Sequence, residues 1–139
     1  MQISNLEPDL AVATQVSVVP APDGSPERAG IVADALELPL TNDASSNTIS
    51  LVVGETAAWL QEADVKVSIQ FDSPAMLYRR RGGQNELLGR AVGVRADRKP
   101  AVFDATGGLG RDAFILADLG CRVNVCERSA VLAWLISEA

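Results

Sequence analysis

The chain has 139 residues, of which 47% are hydrophobic and 22% charged, and its net charge at pH 7 is −6. This composition is typical of a globular chain, and the acidic balance argues against a protein that binds nucleic acid through its overall charge. Histidine is absent, so a histidine-dependent triad is excluded, and we expect no metal site.

The first residues are not expected to form a targeting signal. Met1–Leu10 includes Glu7, Pro8 and Asp9 and lacks both a basic start and an apolar run. Neither a signal peptide nor a membrane span is therefore expected. The cytoplasm is the expected location.

Residues 1–72 are predicted to form a small α+β domain. Gln15–Val19 is typical of a strand that ends at a proline, and Ser25-Pro26-Glu27 is typical of the start of a helix, which should continue to about Leu36. Three later segments carry β-branched or alternating residues and predict an antiparallel meander, although the middle one also fits a helix. These segments are Thr48–Val53, Ala57–Glu62 and Val65–Phe71.

Residues 73–100 are predicted to form a basic helical linker, with a helix near Asn85–Val92. From Arg79 to Lys99 there are seven basic residues and two acids, whereas the first 78 residues hold eleven acids and two bases. Such a basic strip suits contacts with RNA phosphates. The alternative is a solvated pair of helices whose arginines balance carboxylates. The candidate RNA-binding residues are Arg79, Arg80 and Arg81.

The most informative stretch is a short apolar strand, Ala101–Asp104, that runs through glycines into an amphipathic helix. Gly108, Gly110 and Ala113 fit the fingerprint G-x-G-x-x-G/A, in which small residues allow a tight turn and a close approach of the backbone to a ligand. A second strand, Arg122–Cys126, leads to Glu127, an acid placed to accept hydrogen bonds from ribose hydroxyls. This order predicts a β-α-β unit that binds a nucleotide-type cofactor.

Acidic residues on both sides of the glycines indicate which cofactor this unit binds. Asp104 precedes the glycines and Asp112 follows them in the first helical turn, where both would repel a pyrophosphate. A sulfonium cofactor with an ammonium group, such as S-adenosylmethionine, is compatible with them. An NAD(P)-binding oxidoreductase remains an alternative that explains the glycines and Glu127 but not Asp112. A non-catalytic binding domain is the second alternative.

The string D-A-T-G-G-L-G-R-D-A-F, from Asp104 to Phe114, resembles motif I of the class I methyltransferases. With Gly120–Val123 and Glu127-Arg128 it resembles one family closely, the RsmJ family of small-subunit (16S) ribosomal RNA guanine-N2 methyltransferases. Thr106 stands where many methyltransferases have their first glycine, but the RsmJ family itself has D-A-T at this point. The resemblance is strong from about Tyr78 to Leu135.

This resemblance implies an α/β fold in which residues 101–139 begin a Rossmann-like methyltransferase domain that is incomplete at Ala139. It implies S-adenosylmethionine as cofactor, ribosomal RNA or the small ribosomal subunit as partner, and methyl transfer to the exocyclic amine of a guanine. The family's D-P-x-[FY]-P-like motif has no counterpart here, so the catalytic residues are expected beyond Ala139. We expect the 139-residue chain alone to be inactive. The open apolar residues Val102, Phe103, Val123 and Val125 should drive self-association, unless another chain supplies the second half.

The same resemblance assigns roles around the loop. Arg111 and Asp112 would contact the cofactor and Arg128 would border its adenine, although all three could be ordinary surface charges. Asp104 could face the cofactor or hold the glycine loop by accepting backbone hydrogen bonds. The candidate cofactor-binding residues are Asp104, Gly108, Gly110, Arg111, Asp112, Glu127 and Arg128.

The two cysteines flank the second predicted strand of this unit. Cys121 and Cys126 are five positions apart, so their side chains should point to opposite faces. They are expected to be buried free thiols that neither pair nor share a metal.

Overall fold

The structure is a computed structural model that describes residues 16–42, 49–81 and 84–139, without the side chains of residues 81 and 84–86. Within these residues no helix is long and apolar enough to cross a membrane. In chain order the elements are β1 (Val16–Pro20), α1 (Pro26–Leu36), β2 (Ile49–Val53), β3 (Ala58–Glu62), β4 (Val65–Val67), α2 (Pro74–Arg81), α3 (Gln84–Ala91), β5 (Ala101–Asp104), α4 (Arg111–Asp118), β6 (Arg122–Val125) and α5 (Ala130–Ser137).

The first sheet has the order β1-β2-β3-β4. Strand β1 runs parallel to β2, with α1 as the crossover, and β2, β3 and β4 form the predicted antiparallel meander. Helix α1 begins where predicted, because Ser25 caps it by accepting a hydrogen bond from the Arg28 amide and Pro26 occupies the first turn. The fully buried side chains of Val18, Leu51 and Val53 lie on one face of the sheet and pack with Ala29 of α1 to form the core.

The structure decides the type of the middle predicted strand and shortens the last one. The ambiguous middle segment is a strand, β3, because it pairs on both edges. The last strand ends at Val67, and Phe71 instead stacks on Phe114 of α4, with ring centroids 4.4 Å apart. Gln15 and Thr48, predicted as strand residues, lie outside the described residues.

The second sheet consists of β5 and β6, which are parallel and joined by α4. One face of this pair is exposed along its whole length, and Phe103 on that face is 68% exposed. The apolar residues predicted to lie open divide between the two faces, since Val102 and Val123 are half-buried on the other side. Cys121 is buried as expected, but Cys126 is exposed, because it extends past β6 on the uncovered face.

Helix α5 connects the second sheet to the first. Leu135 is 2% exposed and belongs to the same hydrophobic cluster as Val18 and Leu51. The predicted small domain, residues 1–72, therefore shares part of its core with the segment 101–139. The division of the chain into these domains stays a prediction, which unfolding can test.

We expect Leu135→Ala to lower the free energy of unfolding by about 2–5 kcal/mol, the usual cost of truncating a buried leucine. The matched control is Leu87→Ala, because Leu87 is 67% exposed and its truncation should change the free energy by about 0.5 kcal/mol or less. Urea denaturation of the full-length protein, followed by circular dichroism, measures both. Equal losses in the two variants would contradict the shared core.

Candidate cofactor site

The loop of residues 105–110 joins β5 to α4 and lies against the end of β6. The Gly107 amide donates to the Cys126 carbonyl at 2.9 Å, and a Cβ at Gly107 would lie 2.5 Å from Cγ1 of Val125. Gly108 and Gly110 have φ angles of +54° and +70°, which favour glycine. A Cβ at Gly108 would meet only the Thr106 carbonyl oxygen, at 3.8 Å. The loop is therefore tightly packed at Gly107 and open on the side of Gly108, where a ligand can approach.

Glu127 joins this loop to the start of α5. Its Oε2 accepts a hydrogen bond from the Gly108 amide at 2.7 Å, and its Oε1 accepts one from the Ser129 amide at 2.8 Å. The hydrogen bonds from Ser129 and then from Gly108 favour the ionised form and lower the pKa of the Glu127 carboxyl. Each carboxylate oxygen keeps a second lone pair, so the group can still accept hydrogen bonds from a ligand.

Asp104 also holds the loop. Its Oδ1 accepts a hydrogen bond from the Thr106 amide at 3.0 Å, and its backbone carbonyl accepts one from the Cys126 amide at 2.7 Å. Two roles were considered for Asp104, and these hydrogen bonds correspond to the one in which it holds the glycine loop. Its side chain also lines the cleft beside β5, so a ligand contact is compatible with that role.

This cleft, of about 510 Å³, lies on the side of β5 that does not pair with β6. Its polar lining brings together Asp104, Thr106, Arg111 and Asp112, and Arg79 joins them from α2. Its apolar lining consists of Leu88, Val102, Phe103, Leu109 and Leu116. Gly107 also lines the cleft, whereas Gly108, Gly110, Glu127 and Arg128 do not. Gly108 follows Gly107 in the loop, and Glu127 reaches this loop through its hydrogen bond with the Gly108 amide.

A second cleft, of about 490 Å³, lies between the first sheet and helices α4 and α5. Phe71, Phe114, Leu135 and Arg80 contribute to its lining. None of the predicted cofactor-binding residues lines it, so the cleft beside β5 is the candidate site.

Two of the predicted RNA-binding residues pair with carboxylates of α4. Arg79 Nη2 lies 2.6 Å from Asp112 Oδ1, in the first turn, and Arg80 Nη2 lies 2.5 Å from Asp118 Oδ1, in the last. The hydrogen bond and the charge of Asp118 raise the pKa of Arg80. Arg79 and Arg80 thus form the ion pairs with helical carboxylates that were considered as the alternative to RNA binding. The side chain of Arg81 lies outside the described residues.

The fold divides the basic strip. Arg95, Arg98 and Lys99 lie in the turn before β5, whereas the glycine loop follows the other end of that strand. The strip therefore forms no single surface beside the cleft. Sequence reasoning missed that Arg79 lines the cleft, because no local spacing relates it to Asp112, 33 residues later.

We expect the pKa of Glu127 to lie below the ordinary carboxyl value of 4.5. Because folding lowers this pKa, ionised Glu127 stabilises the folded state above pH 4.5, and that stabilisation is lost as the pH falls through the lowered value. A carbon-13 NMR titration of the side-chain carboxyl measures it, and Glu127→Gln identifies the resonance. A midpoint at or above 4.5 would contradict the two backbone hydrogen bonds.

Comparison with known proteins identifies the family of this chain. Residues 32–139 match the SAM_MT family, described as "Putative SAM-dependent methyltransferase". A solved SAM-dependent methyltransferase from Neisseria gonorrhoeae superposes with a TM-score of 0.69 at 28% identity, covering 88% of this chain and 50% of that one.

Curated relatives carry the name ribosomal RNA small subunit methyltransferase J. The protein of Thioalkalivibrio sulfidiphilus is 35% identical over 131 residues, which are 90% of this chain and 51% of the relative. The protein of Cellvibrio japonicus is 39% identical over 121 residues, which are 79% of this chain and 46% of the relative. The chain thus spans about half the length of these relatives. It belongs to the family of S-adenosylmethionine-dependent methyltransferases.

Proposed function

We propose that the protein carrying this chain transfers a methyl group from S-adenosylmethionine to the exocyclic amine of a guanine in small-subunit ribosomal RNA. The observation that carries the proposal is the glycine loop held by Glu127 beside a cleft of mixed charge. The names of the relatives support ribosomal RNA as the substrate.

The residues of the site fit S-adenosylmethionine. The carboxylates of Asp104 and Asp112 suit its ammonium group, and Arg111 suits its carboxylate. Arg111 is exposed and makes no side-chain hydrogen bond or ion pair with the described residues, so its donors are available. We propose that Glu127 accepts hydrogen bonds from the ribose hydroxyls, for which its carboxylate keeps free lone pairs. The same carboxylates disfavour the pyrophosphate of NAD(P), and the family membership agrees.

The chemistry asked of these residues is mainly positioning. When bound, S-adenosylmethionine supplies a methyl group on a positively charged sulfur. The guanine amine would form the new nitrogen–carbon bond as the sulfur–carbon bond breaks, S-adenosylhomocysteine would leave, and the amine would release its proton to water. Residues that hold the two groups in line lower the entropic part of the barrier. We propose that the chain from Asp104 to Glu127 orients the cofactor and that groups beyond Ala139 orient the amine.

We also propose that Arg79, Arg80 and Arg81 of α2 contact the phosphates of the RNA. Arg79 and Arg80 each donate to one carboxylate, and a guanidinium keeps further N–H donors for a phosphate. A ribosomal RNA substrate would be met in the cytoplasm, the location that this proposal implies.

The exposed face of β5 and β6 is the feature that we expect to affect the association state and the activity of the isolated chain. Parallel sheets are usually covered on both faces, whereas here Phe103 is 68% exposed. We propose that the isolated 139-residue chain self-associates through this face and lacks activity.

The first test uses the full-length protein with methyl-labelled S-adenosylmethionine and small-subunit RNA. We expect label to enter guanine in the unsubstituted protein, and Glu127→Ala to weaken cofactor binding roughly tenfold, because it leaves hydrogen-bond donors unpaired. The isolated chain should give only background transfer. Unchanged cofactor affinity in Glu127→Ala would remove this residue from the site, and turnover by the isolated chain would show that its site is complete.

The second test addresses RNA binding through its salt dependence. Replacing Arg80 and Arg81 by serine should flatten the plot of log affinity against log salt by about 0.7–0.9 for each phosphate that the protein no longer neutralises. Filter binding of small-subunit RNA across a salt series measures the slope. Cofactor affinity measured without RNA should not change, and an unaltered slope would leave these arginines as surface charges.

A further inference from the structure

The sequence groups Arg79 with the basic strip. In the structure, however, its guanidinium lies at the first turn of α4, directly after the glycine loop. Arg79 lines the cleft together with Asp104 and Arg111, and it donates to Asp112 at 2.6 Å. The Asp112 side chain is 62% exposed and has no other hydrogen-bond partner among the described residues. Arg79 is therefore the group that fixes the orientation of this carboxylate.

Arg79 is held in place before any ligand arrives. Its side chain is 33% exposed, and Met76, one turn earlier on α2, is 3% exposed. The stacked rings of Phe71 and Phe114 attach the start of α2 to α4. An exposed ion pair between two mobile side chains contributes little, because ordering both costs entropy. Here packing has already ordered much of the arginine.

We propose that Arg79 is a positioning residue for cofactor binding. It holds the Asp112 carboxylate towards the cleft, where the ammonium group of S-adenosylmethionine is proposed to bind. Without Arg79, the exposed carboxylate would sample several rotamers and the cofactor would have to order it. This inference rests on the proposed function, because it concerns the same site.

The positive charge of Arg79 makes the direction of the change in cofactor affinity informative. A guanidinium near the site repels an ammonium, so charge alone predicts tighter cofactor binding after Arg79→Gln. Positioning predicts weaker binding. The direction of the change therefore separates the two effects.

The chain offers a matched control in the neighbouring residue. Arg80 pairs with Asp118 at 2.5 Å, between the same two helices but at the far end of α4, and the side chains of the two arginines are similarly exposed, at 36% and 33%. Arg80→Gln should lower the thermal unfolding temperature at least as much as Arg79→Gln, because Arg80 also lies over the Phe114 ring and Asp118 is less exposed than Asp112. Only Arg79→Gln should change the affinity for the cofactor.

The experiment is calorimetric titration of S-adenosylmethionine into the full-length protein without RNA. We expect Arg79→Gln to weaken binding roughly threefold to fivefold, the upper range for an exposed pair, and Arg80→Gln to leave it unchanged. Arg79→Lys should recover part of the loss, since an ammonium pairs with the carboxylate but lacks the planar fork of arginine. Arg79→Gln combined with Asp112→Asn should bind no more weakly than Asp112→Asn alone, because Arg79 acts through Asp112.

Three results would overturn the inference: tighter binding by Arg79→Gln, equal affinities of Arg79→Gln and Arg80→Gln, or additive losses in the double variant. Failure of the unsubstituted protein to bind the cofactor would overturn the proposed function, and this inference with it. The two failures are thus distinguishable.

Discussion

The candidate site depends on one carboxylate. Glu127 accepts hydrogen bonds from the amides of Gly108 and Ser129, and so connects the glycine loop to the first turn of α5. Because α5 packs through Leu135 into the core of the first sheet, the loop is indirectly anchored to the most buried part of the molecule. An acid expected to bind ribose thus also shapes the loop that approaches the cofactor. Replacing Glu127 by alanine would remove the hydrogen bonds to Gly108 and Ser129 and so loosen the loop, besides removing the proposed contact with the ribose.

Helix α4, which follows the loop, is held by α2. Arg79 and Arg80 are adjacent in sequence but reach opposite ends of α4, through Asp112 and Asp118. Arg79 and Arg80 of the basic strip are therefore packed against the helix that follows the glycine loop. A segment proposed to contact RNA lies against the helix that starts at the glycine loop, which would let the enzyme place its two substrates relative to each other.

Local features of the chain could be predicted from sequence. The order of strand, glycines, helix, strand and acid predicts the β-α-β unit, because each of these elements is determined mainly by residues close to it in sequence. The structure has β5, α4, β6 and Glu127 in this predicted order. The family resemblance stated from Asp104 to Arg128 is confirmed by the family match.

Long-range packing could not be predicted in the same way. Nothing near Arg79 indicates Asp112 as its partner, and nothing near Leu135 indicates that it enters the core of the first sheet. The exposure of Cys126 was missed because a strand pattern does not reveal which face remains uncovered. The two roles of Asp104 could be weighed only once its hydrogen bond to Thr106 was visible.

The most direct test of the central claim is an NMR titration of the full-length protein with S-adenosylmethionine, followed through the backbone amides. We expect the largest changes on the loop from Thr106 to Asp112 and on Ser129, whose amide bonds to Glu127. Residues of the first sheet should change little. Changes confined to the other cleft, around Phe71 and Leu135, or no saturable change at Gly108, would contradict the claim.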